Sequence, residues 1–206
     1  MTIKETAGDD ADKHAIRRRQ VLEAAAACFR QHGFHGASMA QISRVAGMSV
    51  GHIYHYFDNK EAIISAIVQE HLESMLAVVD TIENSGPDGD ILTRFIAGAE
   101  VGACDCYNTE FASLMLEITA EGGRNPAVAA MLQHADAVSR ERFKKMLRQG
   151  VAGRVEVSEA ELDQMVLSIK CLFEGLFFRS VRQPTLAPAD VSTTMKRALQ
   201  CLLPPI

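Results

Sequence analysis

The sequence predicts an all-α protein, on three observations. Apolar residues recur with a period of about 3.6 along most of the 206 residues, which is the repeat of one face of an α-helix. Glycine, asparagine and proline interrupt this repeat at several points, where helices end. Serine followed three positions later by glutamine or glutamate gives capping boxes, which mark helix starts. With 48% hydrophobic and 23% charged residues, the composition is that of a soluble globular protein.

These signals place the longer helices in order along the chain. A first helix is predicted over residues 14–32 and ends at Gly33. Asp58, spaced from Glu61 as in a capping box, is predicted to start a helix of about 25 residues, long enough to connect two halves of the molecule. This helix ends near Ser85. The remaining helices are predicted over residues 91–107, 110–121, 126–149, 159–182 and 188–203.

Two short helices joined by a glycine turn are predicted between residues 38 and 57. Ser38 and Gln41 have the spacing of a capping box. The helix that they start ends at Gly47, which suits the left-handed conformation of a sharp turn, and Ser49 is a favourable N-cap for the next helix. One apolar face of the first short helix is predicted from Ile42, Val45 and Ala46. This pattern is typical of a DNA-binding helix-turn-helix.

The second short helix is rich in hydrogen-bonding and aromatic side chains. Ile53 and Phe57, four residues apart, are expected to anchor it inward, so that its other side chains face a groove of DNA. Gly51 allows close approach to phosphate, and Lys60 offers a positive charge to the same backbone. The predicted DNA contacts are Arg17, Arg18, Ser38, Ser49, Val50, Gly51, His52, Tyr54, His55, Tyr56 and Lys60. The two arginines are equally compatible with a solvated surface.

Several motifs within residues 29–60 occur together. They are Phe29-Arg-Gln-His-Gly-Phe34, Ser38, Ile42, Ala46-Gly47, Ser49, Gly51, Tyr54, Tyr56-Phe57 and Lys60. In this combination the segment resembles the tetracycline-repressor (TetR) family of bacterial transcription regulators. The family often has histidine where this chain has Tyr56, with His55 just before it, which suggests a changed operator preference. The rest of the chain resembles the family in length, helical content and domain order.

The resemblance implies a small DNA-binding domain followed by a larger effector-binding and dimerisation domain. We expect a disordered tail over residues 1–12, three DNA-binding helices over residues 13–60 and a helical body over residues 61–206. The net charge is −5, but residues 13–60 carry seven Lys and Arg against two Asp and Glu, a net +5. Residues 61–206 carry thirteen against twenty, a net −7. This distribution would direct the first domain toward phosphate.

Apolar residues cover more than one face of the helix predicted over residues 159–182, and they continue on the last helix. A monomer seldom needs so much apolar surface, so these helices are expected to pair with a second copy. In the resembled family the last two helices of each protomer form a four-helix dimer interface. The predicted interface residues are Met165, Ile169, Leu172, Leu176, Met195, Leu199 and Leu202.

The resemblance also implies a ligand cavity among the body helices. Methionine and phenylalanine are frequent there, which suits an adaptable apolar pocket, although ordinary packing explains the same pattern. Glu100, Glu117 and Glu174 each interrupt an apolar stretch, and each either pairs with a cationic ligand or lies on the surface. The predicted lining residues are Phe95, Glu100, Phe111, Met115, Ile118, Met131, Phe143, Phe173, Glu174 and Phe177.

The function that these features favour is a homodimeric repressor that a small apolar or cationic effector releases from a palindromic operator, with no cofactor or metal. A constitutive DNA-binding regulator remains an alternative, as does a small helical enzyme or carrier of apolar molecules, although no catalytic constellation is evident. No signal region or apolar run of about 18 residues is found, so a cytoplasmic location is expected. Five cysteines without CxxC spacing are expected to be reduced.

Overall fold

Nine α-helices make up the computed structural model in the residues that it describes, 3–85 and 90–204, with side chains described from residue 12. They are α1 Ile3–Gly36, α2 Met39–Ala46, α3 Val50–Tyr54, α4 Lys60–Asn84, α5 Ile91–Tyr107, α6 Thr109–Gly122, α7 Pro126–Val151, α8 Glu159–Arg182 and α9 Pro188–Leu202. The fold is therefore all-α, as predicted. We call α1–α3 the head and α4–α9 the body.

Helix α1 is longer than predicted and is broken near its end. It begins at Ile3, so the described part of the segment predicted as a disordered tail is helical; residues 1 and 2 lie outside the described residues. That segment lacks proline, and its acidic residues suit the positive end of the helix dipole. Gly33 adopts φ 70° and ψ 167°, a conformation essentially confined to glycine, and breaks the helix at the predicted position.

Local capping signals position α2 and α3. Ser38 and Gln41 form the predicted capping box, and Gly47 has the expected left-handed backbone, with φ 63° and ψ 31°. Ser49 Oγ accepts a hydrogen bond from the His52 amide at 3.2 Å, which starts α3. The prediction that Val45 lies on the buried face of α2 was wrong. Its side chain is 58% exposed, because the buried stripe runs along Ile42, Ser43 and Ala46.

Helix α4 connects the head to the body. Its N-cap is Asn59, whose side chain accepts from the Ala62 amide at 2.7 Å, and not Asp58 as predicted. The extended backbone at Asn59 places its side-chain amide oxygen over the first turn of the helix. By length and hydropathy α4 could cross a membrane, which the sequence analysis did not anticipate, but core helices pass the same test. Its buried residues join both main cores, so α4 is a core helix.

Two hydrophobic clusters fill most of the interior. The first belongs to the head and includes Phe29, Ile42 and Ile53, but it also takes Met115 and Ile118 from α6. The second lies within the body, and its fully buried members include Leu92, Met146, Leu147, Leu162 and Leu199. Because α6 contributes to the core of the head, the two parts of the protein are joined by packing as well as by the chain.

The far end of α4 is fastened to α7 by ion pairs. The Arg142 guanidinium donates to Glu83 Oε1 at 2.7 Å and to Asp80 Oδ1 at 2.5 Å. Hydrogen bonding from Arg142 is the main reason that the pKa of Glu83 lies below its usual range. The bidentate geometry between Arg142 and Glu83 fixes direction as well as distance. The body end of α4 is thus held on α7.

A close approach between α5 and α7 gives a testable prediction of stability. A Cβ atom added at Gly150 would lie 2.6 Å from Leu92 Cδ2, and Leu92 is fully buried. We expect Gly150→Ala to lower the free energy of unfolding by about 1–3 kcal/mol through overpacking. Urea denaturation measures the loss. Gly98→Ala is the matched control, because its Cβ would meet Ile82 at an ordinary 3.7 Å; equal effects of the two changes would contradict the packing described here.

Candidate nucleic-acid interface

Helix α3 buries one side and exposes the other. Ile53 is fully buried and Phe57 is 5% exposed, so the two predicted anchors are confirmed. On the opposite side Tyr54 is 49% exposed and Val50 is 37% exposed. Three further predicted contacts are also exposed, namely Gly51, His52 and His55. The head therefore presents a short surface of hydrogen-bonding, aromatic and small side chains, the types that reach base edges and phosphates.

Tyr56 holds three histidine rings together beside this surface. Its ring lies 5.3 Å from that of His52 and 5.6 Å from that of His55, centroid to centroid. The third is His14, from α1, at 4.8 Å. The Tyr56 hydroxyl also lies 3.4 Å from His52 Nε2. Tyr56 is half-buried and orients its neighbours. The sequence analysis did not assign His14 to the site, since its contact spans 42 positions and leaves no local signal.

The serines predicted to contact DNA are both exposed and act as helix caps. Ser38 Oγ accepts from the Gln41 amide at 3.2 Å, while Gln41 Oε1 accepts from the Ser38 amide at 2.8 Å. Ser49 caps α3 through its hydroxyl group, which accepts from the His52 amide. Their hydroxyl groups lie at the first turns of the two short helices and remain accessible to solvent. The same residues thus fix the turn and present polar groups on its surface.

The two predicted arginine contacts differ in their surroundings. Arg17 is exposed and donates to Gln20 Oε1 at 2.9 Å within α1. Arg18 instead bridges to α4, where its Nη1 lies 3.1 Å from Glu70 Oε1. The Arg18 guanidinium also sits 5.2 Å from the centre of the Phe57 ring, in a cation–π contact. Arg17 is thus the more accessible of the two, and Arg18 joins the head to α4.

Lys60, a predicted phosphate contact, forms hydrogen bonds within the protein. Its ammonium group donates to the carbonyl oxygen atoms of Phe34, at 2.5 Å, and Ala37, at 2.8 Å. It also lies 4.3 Å from the centre of the Phe34 ring. The side chain is therefore directed into the protein, because the break at Gly33 leaves carbonyl groups that need a donor. The partners lie 23 and 26 positions away, beyond the reach of a sequence pattern.

This geometry gives a prediction for Lys60. Lys60→Met keeps the length of the chain but removes two charge-assisted hydrogen bonds, so we expect the free energy of unfolding to fall by about 2–3 kcal/mol. Thermal or urea unfolding measures it. Lys145→Met, at an exposed position on α7, is the control. If Lys60→Met leaves the stability unchanged but weakens DNA binding, this prediction is contradicted and Lys60 is a phosphate contact.

Family models match both parts of the chain. The model described as "Bacterial regulatory proteins, tetR family" matches residues 21–67, which include α2 and α3. A second, described as "BetI-type transcriptional repressor, C-terminal", matches residues 105–204. The chain belongs to the TetR family. Members of this family are regulators of transcription and not enzymes, so the alternative of a small helical enzyme was wrong.

Similar proteins extend the comparison over most of this TetR-family chain. UidR of Escherichia coli K12, an HTH-type transcriptional regulator, is 37% identical over 120 residues, which is 57% of each protein. The repressor AcnR of Corynebacterium jeikeium is 26% identical over 188 residues, or 90% of this chain and 93% of AcnR. The solved structure of Salmonella enterica GusR superposes with a TM-score of 0.73 at 26% identity, covering 91% of this chain and 95% of GusR.

The predicted ligand residues of this TetR-family chain fall into two groups. Phe111, Met115, Ile118, Met131 and Phe177 belong to the head cluster or pack against it. The other apolar members, Phe95, Phe143 and Phe173, pack in the body cluster. Phe95, Met115 and Ile118 are almost fully buried, whereas the remaining aromatic residues are half-buried. The half-buried rings are therefore the more accessible part of the predicted lining.

The three glutamates singled out in the sequence, Glu100, Glu117 and Glu174, lie in different surroundings. Glu100 is exposed and lies 3.1 Å from Lys196 Nζ of α9, so its assignment to a cavity was wrong; it stands on the outer side of α5. Glu117 accepts from the backbone of the head. Glu174 is also exposed, but partial burial of its carboxyl raises its pKa, and its interaction with the charge of Lys170 keeps it a candidate for ligand contact.

Polar side chains that the sequence analysis did not assign surround Glu174. Lys170 Nζ lies 3.0 Å from Asp136 Oδ1 and 2.9 Å from Ser139 Oγ, and Ser139 is fully buried. The His71 ring packs 4.8 Å from that of Phe111, and burial lowers the pKa of His71, with a contribution from the charge of Lys170. Burial also raises the pKa of Cys106 to about 12. We call His71, Cys106, Lys170 and Glu174 the polar boundary; α4, α5 and α8 bring them close enough for their charges to interact.

The predicted dimer interface is partly wrong. Ile169, Met195 and Leu199 are at most 3% exposed, since they face the interior of their own protomer. The opposite side of α8 carries exposed apolar side chains, Leu167 at 59% and Phe178 at 55%. Beside them Leu172 and Leu202 line a groove between α8 and α9 with Ser168, Cys171, Ala198 and Cys201. Met165 and Leu176 are half-buried. Periodicity identified the helix, but it did not distinguish its two apolar faces.

Proposed function

We propose that the chain is a DNA-binding transcriptional repressor that acts as a homodimer and responds to a small-molecule effector. The observation that carries this proposal is the exposed face of α3, where Val50, His52, Tyr54 and His55 surround the buried anchor Ile53. A recognition helix in the major groove requires buried side chains on one side, which anchor it, and exposed polar side chains on the other, which reach the DNA. The net charge of +5 over residues 13–60 favours the same surface for phosphate.

Dimerisation follows from the outer face of α8 in this proposal. Leu167, Phe178 and the α8–α9 groove form an exposed apolar surface, which suits a two-fold contact with a second copy. Two heads related by a two-fold axis bind two half-sites about one helical turn of DNA apart. The operator is accordingly a near-palindrome, and neither head alone binds it tightly. A protein with this role resides in the cytoplasm.

The effector site in this proposal lies at the polar boundary. The half-buried rings of Phe111 and Phe177 lie 5.8 Å apart, and Phe177 follows Glu174 by three residues on α8. Phe111 packs against His71, which interacts with the charge of Lys170. Apolar walls with a few converging polar groups are usual for small-molecule sites. Binding of an effector there would distinguish a regulated protein from a constitutive DNA-binding regulator, whose body needs only to be packed. Aromatic rings beside a carboxylate suit a small apolar or cationic compound.

The proposal is tested by selecting bound fragments from a random DNA library with the purified full-length protein. We expect a palindrome to be enriched, with affinity that falls steeply as salt concentration rises. The selected DNA is then mixed with protein and a panel of apolar and cationic compounds. Release by one class of compound supports regulation by an effector. Enrichment of a single half-site would contradict the dimer, and no enrichment would contradict DNA recognition altogether.

A further inference from the structure

The break in α1 is held from the body by a carboxylate of α6. We call residues 33–37 the elbow of the head. Glu117 Oε1 accepts a hydrogen bond from the Phe34 amide at 2.8 Å. A Cβ atom at Gly33 would lie 3.2 Å from the same oxygen, so glycine at this position admits the carboxylate. The backbone of the elbow is thus fixed by a side chain 83 positions away in sequence.

A second carboxylate of α6 reaches the next residue of the elbow. Glu121 is 1% exposed, and its Oε2 lies 3.0 Å from His35 Nε2. Arg124 Nη2 lies 3.4 Å from the same oxygen. A buried carboxylate is costly unless it is paired and hydrogen-bonded, so these partners hold Glu121 in place. Two successive residues of the elbow therefore contact acidic side chains one turn apart on α6.

The elbow is also held from α4. Lys60, the first residue of α4, donates to the carbonyl oxygen atoms of Phe34 and Ala37. The amide and the carbonyl of Phe34 are thus bonded to different body helices, the amide to α6 and the carbonyl to α4. A displacement of α6 relative to α4 would pull these two bonds in different directions. Both helices thus contact the elbow, and each also forms an ion pair with α1, Arg18 with Glu70 of α4 and Arg30 with Glu110 of α6.

Helix α6 also extends to the proposed effector site. Phe111, near its start, packs against His71 and Phe177. Six residues separate Phe111 from Glu117, which is about 9 Å along a helix. A helix moves largely as a rigid rod over this distance, so a ligand that displaces Phe111 also displaces the carboxylate at the elbow.

We propose that Glu117 is the residue through which α6 sets the orientation of the DNA-binding head. This inference rests on the proposed function, because it assigns the coupling between the effector site and DNA binding. Glu117 is a positioning residue: it contacts the elbow and not DNA. The hydrogen bond keeps both heads of a dimer at the separation that a palindrome requires, and movement of α6 changes that separation.

The contact itself is tested without DNA, by hydrogen exchange of the Phe34 amide in the full-length protein. Glu117→Ala removes the acceptor, and we expect this amide to exchange about tenfold faster or more. Glu117→Gln retains an oxygen acceptor and should restore protection. Glu110→Ala is the control on the same helix: it removes a different contact between α6 and the head, the 3.4 Å ion pair with Arg30 of α1, and should leave exchange at Phe34 unchanged. Unchanged exchange at Phe34 in Glu117→Ala would overturn the proposal.

The coupling is tested by comparing the selected palindrome with a single half-site. We expect Glu117→Ala to weaken binding to the palindrome about tenfold, within the usual range of coupling between sites, and to leave half-site binding within about twofold. Glu117→Gln should bind the palindrome as the unmodified protein does. Equal losses on both DNAs, or none on either, would overturn the assignment. If the unmodified protein selects no DNA, the proposed function fails instead. Exchange at Phe34 then still reports whether the hydrogen bond between Glu117 and the Phe34 amide exists.

Discussion

Replacement of His55 by alanine is expected to weaken binding to the selected palindrome by about 10- to 100-fold. A side chain that reads a base edge contributes about 1–3 kcal/mol to discrimination, and each dimer loses two of them. His55 is exposed on the outer side of the head, and its one described ring contact is with Tyr56. The melting temperature should therefore stay within a degree or two. Fluorescence anisotropy with labelled DNA measures the affinity, and thermal unfolding measures the stability.

His134→Ala is the matched control for this change, because His134 is exposed on α7, on the body. It should leave the affinity for DNA unchanged. Two results would count against the recognition surface described here. One is an unchanged affinity in His55→Ala; the other is an equal loss in both variants, which would indicate a diffuse electrostatic effect in place of readout by α3.

The second large effect is expected at the outer face of α8. The double change Leu167→Arg and Phe178→Arg places four charges in a two-fold interface, two from each protomer. Burial of unpaired charges costs several kcal/mol each, so the dimer should dissociate. Both side chains are more than half exposed within a protomer, and the fold should therefore survive. Light scattering should give the mass of one chain, and binding to the palindrome should fall by at least about 100-fold.

Val101→Arg is the control for this experiment. Val101 is 60% exposed on α5, so it matches the surface exposure of the α8 residues without belonging to the proposed interface. It should leave a dimer that binds DNA. A double variant of α8 that remains dimeric would remove this face from the interface, and a dimeric variant that loses DNA binding would assign another role to α8.

Local signals in the sequence predicted most of the fold. A capping box joins positions three residues apart, and a left-handed turn depends mainly on the residue that adopts it, so Ser38, Gly47 and Ser49 could be assigned from the chain alone. The buried anchors of α3 followed from their spacing of four residues. The shift from Asp58 to Asn59 at the start of α4 shows the limit of these signals, since two adjacent residues both suit an N-cap.

Contacts between distant parts of the chain could not be predicted in this way. Lys60 looked like a surface cation because no local pattern shows that carbonyl groups at the elbow need its protons. The predicted dimer interface was partly wrong for a related reason: α8 has apolar residues on both sides, and periodicity does not show which side the protomer covers. Glu117 interrupts an apolar stretch, from which a ligand contact or a surface position was predicted; it is instead half-buried and accepts from the Phe34 amide, which only the fold brings to it.

The central claim, that α3 reads DNA, is tested most directly by a crystal structure of the protein bound to its selected palindrome. We predict that α3 of each protomer lies in the major groove, with His52, Tyr54 or His55 within hydrogen-bonding distance of base edges. The two recognition helices should be about 34–36 Å apart, the spacing of successive major grooves. A complex in which DNA contacts the body, or in which α3 faces solvent, would contradict the account.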